Sequence, residues 1–240
     1  MANKPKSKKN VDRVVIRFTG DSGDGMQLTG SRFTEATAIM GNDLATYPDY
    51  PAEIRAPAGS LAGVSSFQIQ FSSDNIGTPG DKLDVLVAMN PAALKTNLSD
   101  LKTSGIIIAN KANYTNKNLK LSGWEFNPLE DDSLRDYRVI ALDMTRLVSN
   151  AVEDMDLSVK LISRSSNMFA LGLVSWMYDR TLDSTINFIK EKFAKRPELV
   201  EVNIRALKAG YHYGDTIEEF QHVVTVSKAE FKPGVYRNIV

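Results

Sequence analysis

Three glycines, Gly20, Gly23 and Gly25, interleaved with Asp21 and Asp24, have the types and spacing that chemistry can use. They follow a β-rich run, Val14-Val15-Ile16-Arg17-Phe18. They precede a helical pattern in which Met26, Gly30, Phe33, Thr37 and Met40 recur every three or four residues. A glycine loop between strand and helix lets the backbone approach a ligand, and the helix N-terminus offers unpaired N–H groups with partial positive charge. The spacing is not the dinucleotide G-x-G-x-x-G, and no Lys-Ser/Thr follows as in a P-loop. Two carboxylates in the loop would repel a pyrophosphate unless a cation intervened; they suit helix capping instead. Two readings stand: a ligand or partner sits on this loop, or it is a tight strand-to-helix turn with acidic caps.

A second constellation is Glu53-Ile54-Arg55, inside a stretch carrying Pro48, Pro51 and Pro57. In an ordered loop a charged pair can clamp a ligand or a neighbouring subunit; on open surface it is a solvated pair. Asn110, after the apolar run 106–109, lines the crevice beyond the strand ends or caps a turn. Ser165-Ser166-Asn167 reads as a helix N-cap. His212 and His222 read as surface residues and the Trp176/Tyr178 pair as packing. No side chain stands out as catalytic or metal-ligating.

The elements that must position these residues alternate. After the first strand and helix, Gly41-Asn42 is a stop signal. Residues 44–47 read as a second strand. Phe67, Ile69 and Phe71 alternate with Ser66, Gln68 and Gln70, the period of an antiparallel strand with one face in water. Residues 83–89, 106–109 and 138–142 are apolar as central parallel strands are. Asn90-Pro91 opens a helix whose core face is Leu94, Leu98 and Leu101. A helix over 163–179 is apolar nearly all round and so buried. Further helices fall at 181–195 and 198–213. The expected fold is α/β: a Rossmann-like, mainly parallel sheet with flanking helices and an antiparallel strand addition. The expected domains are a disordered basic arm at 1–10, one folded domain at 11–213, and a linker at 214–240.

Composition narrows the function. The 29 basic and 29 acidic residues cancel, so no basic excess points to nucleic acid. Four of the lysines fall in residues 1–10, leaving 25 basic against 29 acidic residues. The absence of cysteine removes disulfides, thiolate catalysis and cysteine-ligated zinc or iron–sulfur sites from this chain, and fits a cytoplasmic protein. The longest apolar run, 168–178, is broken by Gly172 and Ser175 and falls well short of the ~20 residues that span a membrane.

The glycine loop, the run Tyr50-Pro51-Ala52-Glu53-Ile54-Arg55-Ala56-Pro57-Ala58-Gly59, the run Asp84-Val85-Leu86-Val87-Ala88-Met89-Asn90 and Asn167-Met168-Phe169-Ala170-Leu171-Gly172 together resemble one family. They are similar to the γ domain of 2-oxoacid:ferredoxin oxidoreductases, in particular the N-terminal part of a 2-oxoglutarate-type α subunit. The family consensus is nearer G-x-G-G-Q-G in the first loop and G-x-E-x-R-G in the second. This sequence keeps Gly20, Gly23, Gly25, Glu53 and Arg55 and departs at Ser22 and Asp24. The resemblance implies CoA-dependent oxidative decarboxylation of a 2-oxoacid, with thiamine diphosphate and [4Fe–4S] clusters in the complete enzyme and electrons passed to ferredoxin. It implies pyrimidine-binding and thiamine pyrophosphate-binding domains as partners, the 214–240 segment leading toward the former, and neither nucleic acid nor membrane. Its site candidates, facing CoA or a partner domain, are Gly20, Gly23, Asp24, Gly25, Glu53, Arg55 and Asn110, and the isolated chain is expected to be inactive. The competing readings are a stand-alone Rossmann-type nucleotide-binding protein and a pure subunit-interaction domain.

Overall fold

The computed structural model describes residues 7–53, 56–217, 222–232 and 234. In chain order the strands are β1 (Ser7–Asn10), β2 (Arg13–Asp21), β3 (Asp43–Asp49), β4 (Val64–Ser72), β5 (Leu83–Ala88), β6 (Leu101–Asn110), β7 (Arg138–Leu142) and β8 (His222–Thr225). The helices are α1 (Met26–Ile39), α2 (Pro91–Asn97), α3 (Asn116–Leu121), α4 (Met144–Ala151), α5 (Val159–Arg164), α6 (Ser166–Met177), α7 (Asp183–Lys192) and α8 (Pro197–Tyr213). Six strands form one sheet in the order β3-β4-β2-β5-β6-β7. β2, β5, β6 and β7 are parallel, and β4 is antiparallel to both β2 and β3. The α/β class, the mainly parallel sheet and the antiparallel addition are as expected. β3 is not the neighbour of β2, however, because β4 inserts between them.

Strand alternation divides the core. Val14, Ile16 and Phe18 of β2 join Val85, Val87 and Ile108 in a cluster that α1, α4, α6 and α8 complete. On the other face Val15, Leu86, Ile107 and Ala109 pack with Ala93, Leu94 and Leu119 of α2 and α3. The Ser66, Gln68 and Gln70 face of β4 is buried, not wet. The chain between β4 and β5 returns over it. Gln68 donates to the carbonyls of Pro79 (2.7 Å) and Gly80 (2.6 Å) and accepts from Arg17 Nε (2.9 Å). Arg17 in turn pairs with Asp100 at 2.6 Å. Gln68 tolerates burial because both ends of its amide find partners.

The helix expected over 163–179 is two helices. The α5 helix ends at Arg164, Ser165 sits between, and every residue of α6 is buried. Two glycines make that burial possible. A β-carbon on Gly172 would overlap the carbonyl of Leu207, and one on Gly210 would overlap the carbonyl of Phe169. The α6 and α8 backbones therefore touch, and α8 seals the outer side of α6.

The chain ends also depart from expectation. Residues 7–10, read as part of a disordered arm, form β1 and pair in parallel with β8, Ser7 opposite His222 and Asn10 opposite Thr225. Residues 222–232, read as linker, are pinned. Asn42 Nδ2 donates to the carbonyls of Val226 and Ser227, and its Oδ1 accepts from the buried Arg180 at 2.7 Å. A four-residue strand is too short to announce itself in sequence, and its partner lies over 200 residues away.

Gly172→Ala and Gly210→Ala should each cost about 3 kcal/mol or more by overpacking. Gly77→Ala, whose β-carbon would meet nothing within 4 Å, should fall within about 0.5 kcal/mol of the parent. Denaturant midpoints of the three variants check this.

Candidate functional site

The crevice forms where connections leave the sheet on opposite faces. The helix α1, after β2, packs with one core cluster and α2, after β5, with the other. Between β2 and β5 the strand order reverses, and α/β sheets bind ligands beyond the strand C-termini at such a point. Thr19 lies opposite Ala88, and Met89 N–H donates to Thr19 O at 2.9 Å, so the 20–25 loop and the Met89-Asn90 turn share the rim. Asn90 is buried as the N-cap of α2, its Oδ1 accepting from Ala93 N–H at 2.8 Å.

Within the loop the acids do not cap the helix. Asp24 Oδ2 accepts from Asp21 N–H, and Asp24 N–H donates back to Asp21 O, both at 2.9 Å. The N-cap of α1 is Gly25, in the left-handed region at φ 76°, and no side chain bonds the first turn. The expected acidic cap is therefore absent, and the N-terminus of α1 opens on the crevice. Gly25 has a second reason to be glycine: a β-carbon there would lie 2.6 Å from Asn167 Nδ2. Gly20 would bring a β-carbon to 2.8 Å of Asp24 Oδ2 and 3.2 Å of Met89 Cβ. Gly23 meets nothing within 4 Å and has no left-handed φ, so the loop does not require glycine there.

The proline-rich loop lies beside the glycine loop. Gly59 N–H donates to Asp21 Oδ2 at 2.9 Å, and Ser22 N–H to Gly63 O at 3.2 Å. Gln27 Nε2 ties the ends of β3 and β4 to the start of α1 through the carbonyls of Asp49 (3.0 Å) and Ser66 (2.8 Å). Glu53 is exposed on this rim, and Arg55 lies outside the described residues. Asn110 sits at the end of β6 with 1% exposure, and its Oδ1 accepts from Met144 N–H at 3.2 Å. That bond ties the end of β6 to the start of α4, whose N-cap is Asp143.

Burial dominates the electrostatics. It raises the Asp24 carboxyl to about 6, against the Asp21 N–H bond that lowers it and with the Asp21 charge that raises it further. Burial also raises Asp21, opposed by Gly59 N–H and the Asn90 side chain. Gln27 drew no notice in the sequence, and Asp21, Asn90 and Asn167 stood there only within motif runs, not as site candidates. Asn167 was read as part of an N-cap, yet the N-cap of α6 is Ser165, which makes no side-chain cap bond. Only the three-dimensional contact with Gly25 reveals Asn167. The site as assembled is a crevice with an uncapped helix N-terminus, two partly buried carboxylates and the buried amide of Asn167.

Two outcomes follow from this geometry. Gly25→Ala should cost about 1–2 kcal/mol or more, whereas Gly23→Ala should stay within about 0.5 kcal/mol, as thermal melts would show. Asp24→Asn keeps an oxygen for Asp21 N–H and removes the buried charge. The folded Asp24 pKa exceeds the unfolded value, so the folded chain binds more protons between 3.8 and about 6. Stability from this group is therefore lost as pH rises through that window. The variant should melt roughly 2–4 °C above the parent near pH 7.5, with the gap closing near pH 4.

Comparison with known proteins bears on what this crevice serves. The family model described as pyruvate ferredoxin/flavodoxin oxidoreductase matches residues 15–213. The chain is 55% identical over 232 residues to the 2-oxoglutarate oxidoreductase subunit KorA of Mycobacterium tuberculosis (strain ATCC 25618 / H37Rv), which is 97% of this chain and 36% of that protein. It is 28% identical over 200 residues to the ketoisovalerate oxidoreductase subunit VorA of Methanothermobacter thermautotrophicus, covering 82% of this chain and 35% of that protein. It thus spans about a third of the length of these curated relatives. Among solved structures, a 2-oxoglutarate:ferredoxin oxidoreductase from Magnetococcus marinus, with 2-oxoglutarate, coenzyme A and succinyl-CoA bound, superposes with a TM-score of 0.68. The identity is 23%, over 92% of this chain and 34% of that one. The γ subunit of a keto/oxoacid ferredoxin oxidoreductase from Geobacter sulfurreducens superposes with a TM-score of 0.57 at 19% identity, over 85% of this chain and 99% of that one. At these identities the two structures show a shared fold. With the family model matching from β2 to the end of α8, this chain belongs to the pyruvate ferredoxin/flavodoxin oxidoreductase family.

Proposed function

We propose that this chain supplies the γ-type part of a 2-oxoglutarate:ferredoxin oxidoreductase and that its crevice borders the path of coenzyme A. The observation that carries the reading is the 55% identity to a 2-oxoglutarate oxidoreductase subunit across nearly the whole chain. The reaction would be oxidative decarboxylation of 2-oxoglutarate with CoA, releasing succinyl-CoA, carbon dioxide and two electrons for ferredoxin. Thiamine diphosphate and [4Fe–4S] clusters supply the carbanion and electron chemistry of such enzymes. The chain has no cysteine, so its residues do not fit an iron–sulfur cluster. Among the described residues no group of three or more His, Asp or Glu side chains is placed to hold a metal. The role left to this chain is binding and orientation.

The geometry gives that role content. The uncapped α1 N-terminus and the Gly20 and Gly25 backbone allow close approach of a ligand. The 56–63 loop, fastened by Asp21 and Ser22, forms a second wall, with Glu53 on its rim. An arginine at position 55 would fork onto a carboxylate or phosphate of CoA or of a partner domain, which lysine does less well. The family subunits that would complete the enzyme are the partners this surface serves. Among the described residues no helix is long and apolar enough to cross a membrane.

The chain alone should show no 2-oxoglutarate- and CoA-dependent viologen reduction, and adding the subunits that carry thiamine diphosphate and clusters should restore it. Robust turnover by the chain alone would overturn the reading. In the assembled enzyme Arg55→Lys should raise the KM for CoA several-fold while leaving the KM for 2-oxoglutarate unchanged. Unaltered CoA kinetics would return Glu53 and Arg55 to a solvated surface pair.

A further inference from the structure

Three large apolar side chains meet in the open at one place. Tyr47 is 53% exposed, Tyr50 68% and Leu61 42%. All three line an open groove of about 380 Å³, together with Arg17, Asp49 and Asp100. A single exposed apolar residue needs no reason, but several on one concavity rimmed by polar groups mark a surface that another molecule covers.

The sheet explains the groove. On one face α1 lies over β3 and β4. On the opposite face α2 and α3 complete the core over β2, β5 and β6. Tyr47, Gln68 and Arg17 stand opposite one another across β3, β4 and β2, and so share a face. Arg17 donates to Asn97 Oδ1 (2.9 Å) and Asp100 Oδ2 (2.6 Å) at the end of α2, which puts this row on the α2 side. The row runs out from α2 to the sheet edge, because β3 is the outermost strand, and there Tyr47 is left bare.

The groove's chemistry selects its occupant. Arg17 is already matched by Gln68, Asn97 and Asp100. Asp49 is exposed; Gln27 and Ser65 bond its backbone carbonyl, and its carboxylate has no partner among the described residues. Two tyrosine rings flanking an unmatched carboxylate suit a cationic side chain, which the ring faces attract and the carboxylate pairs. Arginine does both at once, and it is enriched at protein interfaces. A second copy of this chain meeting the groove about a two-fold axis would set Asp49 toward Asp49. The surface that fits is a different, basic one.

We infer that the groove of Tyr47, Tyr50 and Leu61 docks another subunit of the enzyme, and that the docked segment places an arginine or lysine side chain between the two tyrosines, on Asp49. The inference rests on the reading that this chain works within a 2-oxoacid oxidoreductase, and it names a contact surface for that assembly. Docking there also bears on the crevice: the strand end that receives the partner is the one that Gln27 fastens to the start of α1.

The test titrates the full chain with the subunits that carry thiamine diphosphate and clusters, reading restored viologen reduction. Tyr50→Ala and Asp49→Lys should each raise the subunit concentration for half-maximal activity roughly tenfold or more, as loss of an interface anchor does. Tyr50→Phe, which keeps the ring, should titrate like the parent. At saturating subunits the Tyr50→Ala enzyme should keep the parent's KM for CoA, and the Tyr50→Ala chain alone should keep the parent's melting temperature. A lower melting temperature would assign the ring to the fold and overturn the proposal, as would a changed KM for CoA at saturation. A photo-crosslinking benzoylphenylalanine in place of Tyr50 should join the chain to one of those subunits; capture of a second copy of this chain, or of neither, would also overturn it. If both Tyr50→Ala and Asp49→Lys titrate like the parent, this inference falls and the proposed function stands. If the parent chain restores no activity at any subunit concentration, the proposed function falls and takes this inference with it.

Discussion

The contact on which the rest of the molecule depends is the meeting of two helix backbones at Gly172 and Gly210. A β-carbon on either would occupy the space of a carbonyl on the other helix. Because both are glycine, α8 lies directly on α6, and α6 is enclosed by α8, α1, α4 and the apolar face of the sheet. Close packing of this kind leaves little room for movement. The start of α6 is fixed by it, and with it Asn167 over Gly25. A packing event far from the loop thereby decides which side chain lines the loop.

The loop itself is held by its own side chains. Its two aspartates are consumed in holding the backbone: Asp24 fastens Asp21, and Asp21 fastens Gly59. Those bonds join the first βα turn to the loop that precedes β4, so the crevice has two walls that behave as one. Burial sets the energy of this arrangement, raising both carboxyls against the hydrogen bonds that would favour ionisation. What stays open is the N-terminus of α1, which in many α/β folds faces an anion. Here that positive end is set beside the Asp21 and Asp24 carboxyls.

Much of the fold was legible because periodicity reports burial. Residues 83–89, 106–109 and 138–142 are apolar without alternation, and they became β5, β6 and β7 in parallel pairing. The apolar run at 168–178 lies almost wholly within the buried α6. Reading failed where partners come from afar. Ser66, Gln68 and Gln70 alternate as a wet face does, yet all three are buried, and Arg17 and the returning 79–80 carbonyls supply the partners of Gln68. Residues 7–10 look like a basic tail, yet β8 supplies a ladder. Polar pattern alone does not distinguish a residue facing water from one facing a distant hydrogen-bond partner.

For the crevice the division is sharper. The order strand, glycine loop, helix was written in local sequence, and the family in the order of several short runs along the chain, none of which needs the fold to be read. The sequence also excluded a cluster site, because cysteine is absent whatever the fold. Tertiary structure alone decided that Gly25 and not Gly23 is sterically required, that Asn110 bonds the start of α4, and that the acids brace the loop instead of capping α1. It alone brought Asn167 to the glycine loop across more than 140 residues of chain. The physical reason is the same in each case: a side chain's chemistry is set by the atoms that approach it, and in this protein those atoms belong to elements that packing, not sequence proximity, brings together.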